Sequence, residues 1–334
     1  MKSFFKSILL LLLLGNLHCK YDRIDDVIPA ISFVYSPENQ NGIDEDIVFT
    51  ASASFAIQSY LWEFGDGNSS TDQSPQKVYD KGGRYAVKLT ITAQGGETYS
   101  AEKELFIDPF KQKMAAIPGG SFLMGCDWPP DEDCDPVLEH PRHQVTLAPF
   151  FLAETEVTQE EWQAVTGDNP SFFGGCAECP VESVSWDQVQ DFIDTLNKLS
   201  GFAYYLPSDA QWEDAARAGD TTVVFAGGND LEFVGWYGIP TGGPQPVGAL
   251  DPNAWFLSDM SGNVFEWCED DYHGDYNGAP TDGSAWVDAS PGSIKVVRGG
   301  AWSSPQLDCR LSARSWSVPK NTESNILGFR VGRD

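Results

Sequence analysis

Apolar and polar residues follow one rhythm before about residue 110 and another after it. In the first part the rhythm is two-fold. From Tyr85 to Ala93, Tyr85, Val87, Leu89 and Ile91 alternate with Ala86, Lys88, Thr90 and Thr92, the period of a half-buried strand. Ile47 to Ala53 is a second β-branched run, and Gly, Asn, Ser and Asp clusters separate the runs, which predicts an all-β domain over residues 29–108. In the second part the period lengthens. Val189, Phe192, Ile193, Leu196 and Leu199 recur at helical spacing behind Ser185 and ahead of Gly201, so a capped amphipathic helix is expected there. Thr158 and Glu161 form a capping box before a short helix that Gly167 stops, and Ser208 caps a third helix closed by Gly219. All three helices are expected to be scaffold, with no chemistry of their own. Beyond Gly219 the chain is mostly Gly, Pro, Asp, Asn and aromatics. Few regular elements are expected there.

The chain has 334 residues, 41% of them hydrophobic and 13% aromatic, enough for two folded, core-forming domains. Its formal net charge of −28 repels nucleic acid and anionic membrane surfaces, so neither is an expected partner. The same charge needs no ligand to explain it, because a strongly acidic surface keeps a protein soluble. No phosphate-binding G-x-x-x-x-G-K, no H-E-x-x-H, no G-x-S-x-G and no dinucleotide fingerprint occurs. Glu269, Asp270 and Asp271 read as a solvated acidic face, and His140 and His143, without a third ligand, as structural.

Residues 1–19 read as an export signal. Lys2 and Lys6 precede a short apolar run, Ile8 to Leu14, that is too short to span a bilayer. The run ends at Cys19, which predicts a lipoprotein with Cys19 acylated and residues 20–28 as a tether. Giving Cys19 to lipid leaves six of the seven cysteines, an even number that favours disulfides in an oxidising compartment. Cys126 and Cys134, eight apart, suit a loop-closing bridge. Cys176 and Cys179 form a C-x-x-C with no second pair and no His at ligand spacing, so a disulfide is expected there rather than zinc.

Trp62, Phe64 to Gly67, Tyr79, Gly83 and Tyr85 reproduce the W-x-F-G-D-G … Y-x-x-x-G-x-Y signature, and residues 29–108 resemble a PKD domain. That resemblance implies an immunoglobulin-like sandwich serving as a spacer or adhesion module, with Asp66 as a turn-maker. Residues 110–334 resemble the formylglycine-generating-enzyme (sulfatase-modifying factor) family. The matching blocks are I-P-G-G-x-F-x-M-G (Ile117 to Gly125), D-M-x-G-N-V-x-E-W (Asp259 to Trp267), R-G-G-x-W (Arg298 to Trp302) and G-F-R (Gly328 to Arg330). The fold implied is an α+β, C-type-lectin-like domain with much irregular structure.

The resemblance also implies chemistry. Such enzymes oxidise the cysteine of a C-x-P-x-R substrate to an aldehyde with O2 and Cu(I) held by two thiolates. The first copper cysteine falls on Ser304 and the second on Cys309. A serine hydroxyl is a hard donor that stays protonated, so copper is not expected. One Ca²⁺ is implied at Asp259, Gly262, Val264 and Glu266, an all-oxygen set suited to a hard cation. Cys268–Cys309 is the disulfide left over, and it would staple the G-N-V-x-E-W turn to the C-terminal part. These readings favour an exported, non-catalytic binding or scaffold protein on a PKD spacer, partnering a cell-envelope protein or glycan. The alternatives are a formylglycine-generating oxidase and a variable ligand receptor that displays residues 303–327.

Overall fold

The computed structural model describes residues 30–36, 46–108, 110, 113–126, 134–238, 242–289, 293–314 and 317–333. The expected export signal with Cys19, and the expected tether after it, lie outside them.

Seven strands occupy the first part: β1 (Ile31–Ser36), β2 (Ile47–Ala53), β3 (Ile57–Glu63), β4 (Ser69–Ser70), β5 (Gln76–Lys77), β6 (Gly83–Ala93) and β7 (Thr98–Ile107). They form one sheet in the order β1-β2-β5 and another in the order β4-β3-β6-β7. The two-fold pattern of β6 decides which side faces inward: Val87, Leu89 and Ile91 are fully buried. They meet Phe33, Phe49 and Trp62 in one core that draws on both sheets, which makes a sandwich. Asp66 makes the turn expected of it. Its Oδ1 accepts the Asn68 N–H at 2.9 Å, and its Oδ2 lies 2.6 Å from Lys77 Nζ.

The second part opens with β8 (Met114–Ile117), β9 (Gly120–Met124), β10 (His143–Leu147) and β11 (Phe150–Ala153). Helices α1 (Gln159–Thr166), α2 (Trp186–Ser200) and α3 (Asp209–Arg217) follow, with β12 (Tyr204–Tyr205) between the last two and the single turn α4 (Leu231–Val234) after them. All three longer helices begin with a reciprocal capping box, at Thr158, Ser185 and Ser208. Each box satisfies two otherwise orphaned N–H groups at no cost in burial. Helix α3 ends one residue earlier than Gly219 predicts, because Ala218 itself adopts the left-handed conformation at φ 48°.

The remaining strands are β13 (Phe265–Asp271), β14 (Ile294–Arg298), β15 (Ser317–Pro319), β16 (Leu327–Gly328) and β17 (Gly332–Arg333). They build two four-stranded sheets, β12-β17-β11-β8 and β15-β14-β13-β16, in the second of which β13 and β16 run parallel. The largest core packs the inner faces of α1 and α2 against Trp267, Phe265, Leu327, Phe329 and Val331. C-terminal residues therefore lie across the middle of the domain, against segments more than a hundred residues away. Among the described residues no helix is long and apolar enough to cross a membrane.

Candidate functional site

The domain is tied together at the turn that enters β13. Asp259, Gly262 and Asn263 all have positive φ, at 60°, 102° and 61°. A Cβ on Gly262 would sit 2.2 Å from the Trp236 carbonyl oxygen, so only glycine fits. Asn263 exchanges side-chain hydrogen bonds with the Gln245 backbone, donates its own N–H to Trp236 O, and offers its carbonyl to Trp302 N–H at 2.7 Å. Gly262 N–H donates to Gly299 O. One turn thus ties together the chain at Trp236, at Gln245 and at Gly299 to Trp302.

Glu266, fully buried on β13, is the charged centre of this arrangement. Arg330 grips it bidentately, Nε to Oε2 and Nη2 to Oε1, both at 2.6 Å, and Trp212 Nε1 donates to Oε2 at 2.7 Å. The rest of the Arg330 guanidinium donates to the carbonyls of Ala153, Glu154 and Ser258. Asp259 accepts the Gly248 N–H at 2.6 Å on Oδ2, while its Oδ1 is buried without a hydrogen-bond partner. Burial pushes the Asp259 carboxyl up to about 6. Burial, together with Asp259 and Glu266 nearby, pushes fully buried Glu156 well above the usual carboxylate range.

These donors bear on the calcium that the resemblance implies. Asp259 lies beside the Glu266–Arg330 pair, whose guanidinium is engaged by Glu266, so a hard cation would neutralise the Asp259 charge. The orphaned Asp259 Oδ1 is an oxygen suited to one. Glu266 is less suited, since three N–H donors already engage it. The fit is on the Asp259 side of the turn.

The raised carboxyls make a pH prediction. Burial also lifts Asp270 to about 7, helped by Asp209, and Asp214 to about 6, helped by Glu213. In the unfolded chain these groups titrate near 4, so between pH 8 and pH 6 the folded state binds more protons than the unfolded one. Stability rises as pH falls through that window, on the order of 1 kcal/mol per pH unit. Urea titrations in EDTA at pH 8, 7 and 6 check it. A flat or opposite slope would show that these carboxylates are compensated.

Ser304 and Cys309 do not form a copper pair. Ser304 Oγ accepts the Ala301 N–H at 3.0 Å, while Ser304 N–H donates back to Ala301 O at 2.9 Å, so this serine closes a turn. Cys309 lies on a 3₁₀ turn, Gln306–Cys309, and packs with Phe225, Leu231 and Val234. Burial raises its thiol to about 12, which leaves almost no thiolate near neutrality. With a hard hydroxyl at one position and a single thiol at the other, the residues present do not supply the two sulfur ligands that suit Cu(I).

The cysteines correct one expectation. Cys126–Cys134 and Cys176–Cys179 are disulfides. Cys268 and Cys309 are unbonded thiols, both buried. Cys268 projects from β13 into a cluster with Trp212, Leu257, Met260 and Val296, whereas Cys309 belongs to the separate cluster around Phe225. Each is held by its own apolar surroundings, and the parity of the count could not reveal this.

The acidic face expected at residues 269–271 is also largely internal: Asp270 and Asp271 are buried, and Lys295 Nζ lies 3.0 Å from Asp271. Helix α3, expected as scaffold, also carries a second charged centre. Asp209 and Glu213, one turn apart, both face fully buried Arg298, whose Nε meets Asp209 at 2.5 Å and whose Nη2 meets Glu213. Arg217 and Arg314 complete the set. The available signal is the spacing: Asp209, Glu213 and Arg217 recur every fourth residue on a helix flanked by apolar blocks.

An irregular α+β domain centred on a left-handed turn, with a β-sandwich in front of it, defines the class: a C-type-lectin-like domain behind a PKD domain. The chain belongs to the family of the sulfatase-modifying factor enzyme 1-like domain, which matches residues 103–334, and a PKD domain matches residues 29–107. PvdO from Pseudomonas aeruginosa superposes with a TM-score of 0.59 at 29% identity, over 68% of this chain and 97% of that one. Treponema denticola variable protein 1 superposes at 0.58 with 27% identity, over 74% and 98%. The formylglycine-generating enzyme of Thermomonospora curvata is 29% identical over 57% of this chain and 66% of that protein. The serine/threonine-protein kinase pkn1 of Chlamydia caviae is 27% identical over 70% of this chain, which spans about 40% of that protein's length. The PKD domain and the disulfides point to an extracellular protein.

Proposed function

We propose that this chain is an exported binding protein whose lectin-like domain is a rigid platform rather than an oxidase. The observation that carries the proposal is the state of Ser304 and Cys309. The first is a turn-forming hydroxyl and the second a buried, protonated thiol, so no pair of thiolates is available where the family's oxidation chemistry would need one. The fold does not depend on such a pair, because the turn at 257–268 is held by backbone hydrogen bonds and by the Glu266–Arg330 pair. Ca²⁺, supported by the charge at Asp259, would be structural there, with Asp259 and the carbonyls of Gly262 and Val264 as its ligands, while Glu266 stays with Arg330. Acylation at Cys19 would hold the protein at a membrane, with the PKD domain as spacer.

The test is direct. Purified protein, loaded with Cu(I) and given a C-x-P-x-R peptide and O2, is expected to yield no aldehyde above the protein-free rate, read by hydrazide capture and mass spectrometry. Aldehyde formation that disappears in Cys309→Ser would overturn the proposal. A second reading, ligand display by residues 303–327, draws support from the likeness to Treponema denticola variable protein 1 and from exposed Leu307 in that segment.

A further inference from the structure

A cleft of about 460 Å³ shares no residue with the Asp259–Glu266 turn or with Ser304 and Cys309. One face of α2 supplies Gln190, Ile193, Asp194 and Asn197, and β12 with the start of α3 supplies Tyr205, Leu206 and Gln211. Glu269 of β13 and the loop at Gly283 to Ala285 close the far side. We propose that this cleft binds a neutral, polyhydroxylated ligand: a saccharide, roughly a disaccharide in size.

The chemistry of the walls selects that class. A sugar hydroxyl both donates and accepts, and Gln190, Asn197 and Gln211 are amides that do both. Asp194 and Glu269 accept the hydroxyl protons that an all-amide wall would leave over. No Lys, Arg or His lines the cleft among the described residues. A phosphate or uronic acid would therefore meet two carboxylates and no cation, and would be repelled. The half-buried Tyr205 ring offers apolar surface for the C–H face of a pyranose.

The polar groups are also set before any ligand arrives. Gln190 Nε2 donates to Glu269 Oε2 at 2.8 Å. Gln211 donates to the Tyr205 hydroxyl and accepts the Ser208 N–H. Asn197 is held at both ends by the Tyr204 backbone, at 2.7 and 3.0 Å. Side chains whose rotamers are already fixed lose little entropy on binding.

The experiment is a titration of the full chain, by calorimetry and saturation-transfer NMR, with N,N′-diacetylchitobiose, cellobiose and maltose, and with glucose 6-phosphate as the anionic control. Saturable binding of at least one neutral sugar is expected, with Kd on the order of 1 mM. Loss of one hydrogen-bonding side chain in Gln190→Ala or Asp194→Ala should weaken it about tenfold. Asp194 is exposed on α2, so that variant keeps the fold even if Gln190→Ala does not. Ser304→Ala should bind as the wild type does. Absence of saturation by about 50 mM for all three sugars, equal binding of glucose 6-phosphate, or unchanged affinity in Asp194→Ala and in folded Gln190→Ala would each overturn the assignment. Aldehyde formation in the copper assay would leave it untouched, since the two sites share no residue.

Discussion

Glu266→Ala is expected to destabilise the lectin-like domain by about 3–5 kcal/mol. The substitution strands Arg330, a fully buried guanidinium whose carboxylate partner is gone, and it leaves Trp212 Nε1 without its acceptor. A stranded charge in the interior is far more costly than an absent pair, because the attraction that offset its desolvation is lost while the desolvation remains. For a domain of this size the melting temperature should fall by roughly 10 °C, measured by calorimetry. The companion experiment separates the charge from the packing. Glu266→Leu combined with Arg330→Leu removes both charges and should recover a substantial part of the loss, a coupling that the single variants cannot show. If Glu266→Ala melts within about 2 °C of the wild type, the pair is not the centre of the domain.

Arg298→Met should be comparably severe, again about 3–5 kcal/mol, and it should carry a pH signature. Burial alone would raise Glu213, but the guanidiniums of Arg217 and Arg298 overcome it and hold the carboxyl below its usual value. In the wild type that group contributes stability above its unfolded pKa and loses it as pH falls. Without Arg298, only Arg217 opposes the burial that favours the protonated form of Glu213, so the variant is weakened as pH rises. The gap between wild type and variant should therefore be wider at pH 8 than at pH 5 in parallel urea titrations. A gap that does not change with pH would mean that Arg298 matters for its packing on Trp212 (5.2 Å from guanidinium carbon to ring centroid) and not for its charge.

Much of this protein is legible in the order of its residues alone. The alternation of Tyr85 to Ala93 defines β6 and its inward face, because side chains on a strand must point to opposite sides. Thr158, Ser185 and Ser208 start helices where they do because each side chain satisfies an N–H a few residues away. The bridges Cys126–Cys134 and Cys176–Cys179 close short loops whose ends have nowhere distant to go. All of these are decided by groups close together along the chain, and a linear pattern records them. The rest is settled by groups far apart. Glu266 finds Arg330 64 residues on, and Arg298 finds Glu213 85 residues back. Cys268 and Cys309, which counting alone would join, are drawn into different apolar clusters. Those choices turn on desolvation: a charge or thiol taken out of water keeps whichever partner the packed core brings to it. Only the tertiary structure decides which partner that is.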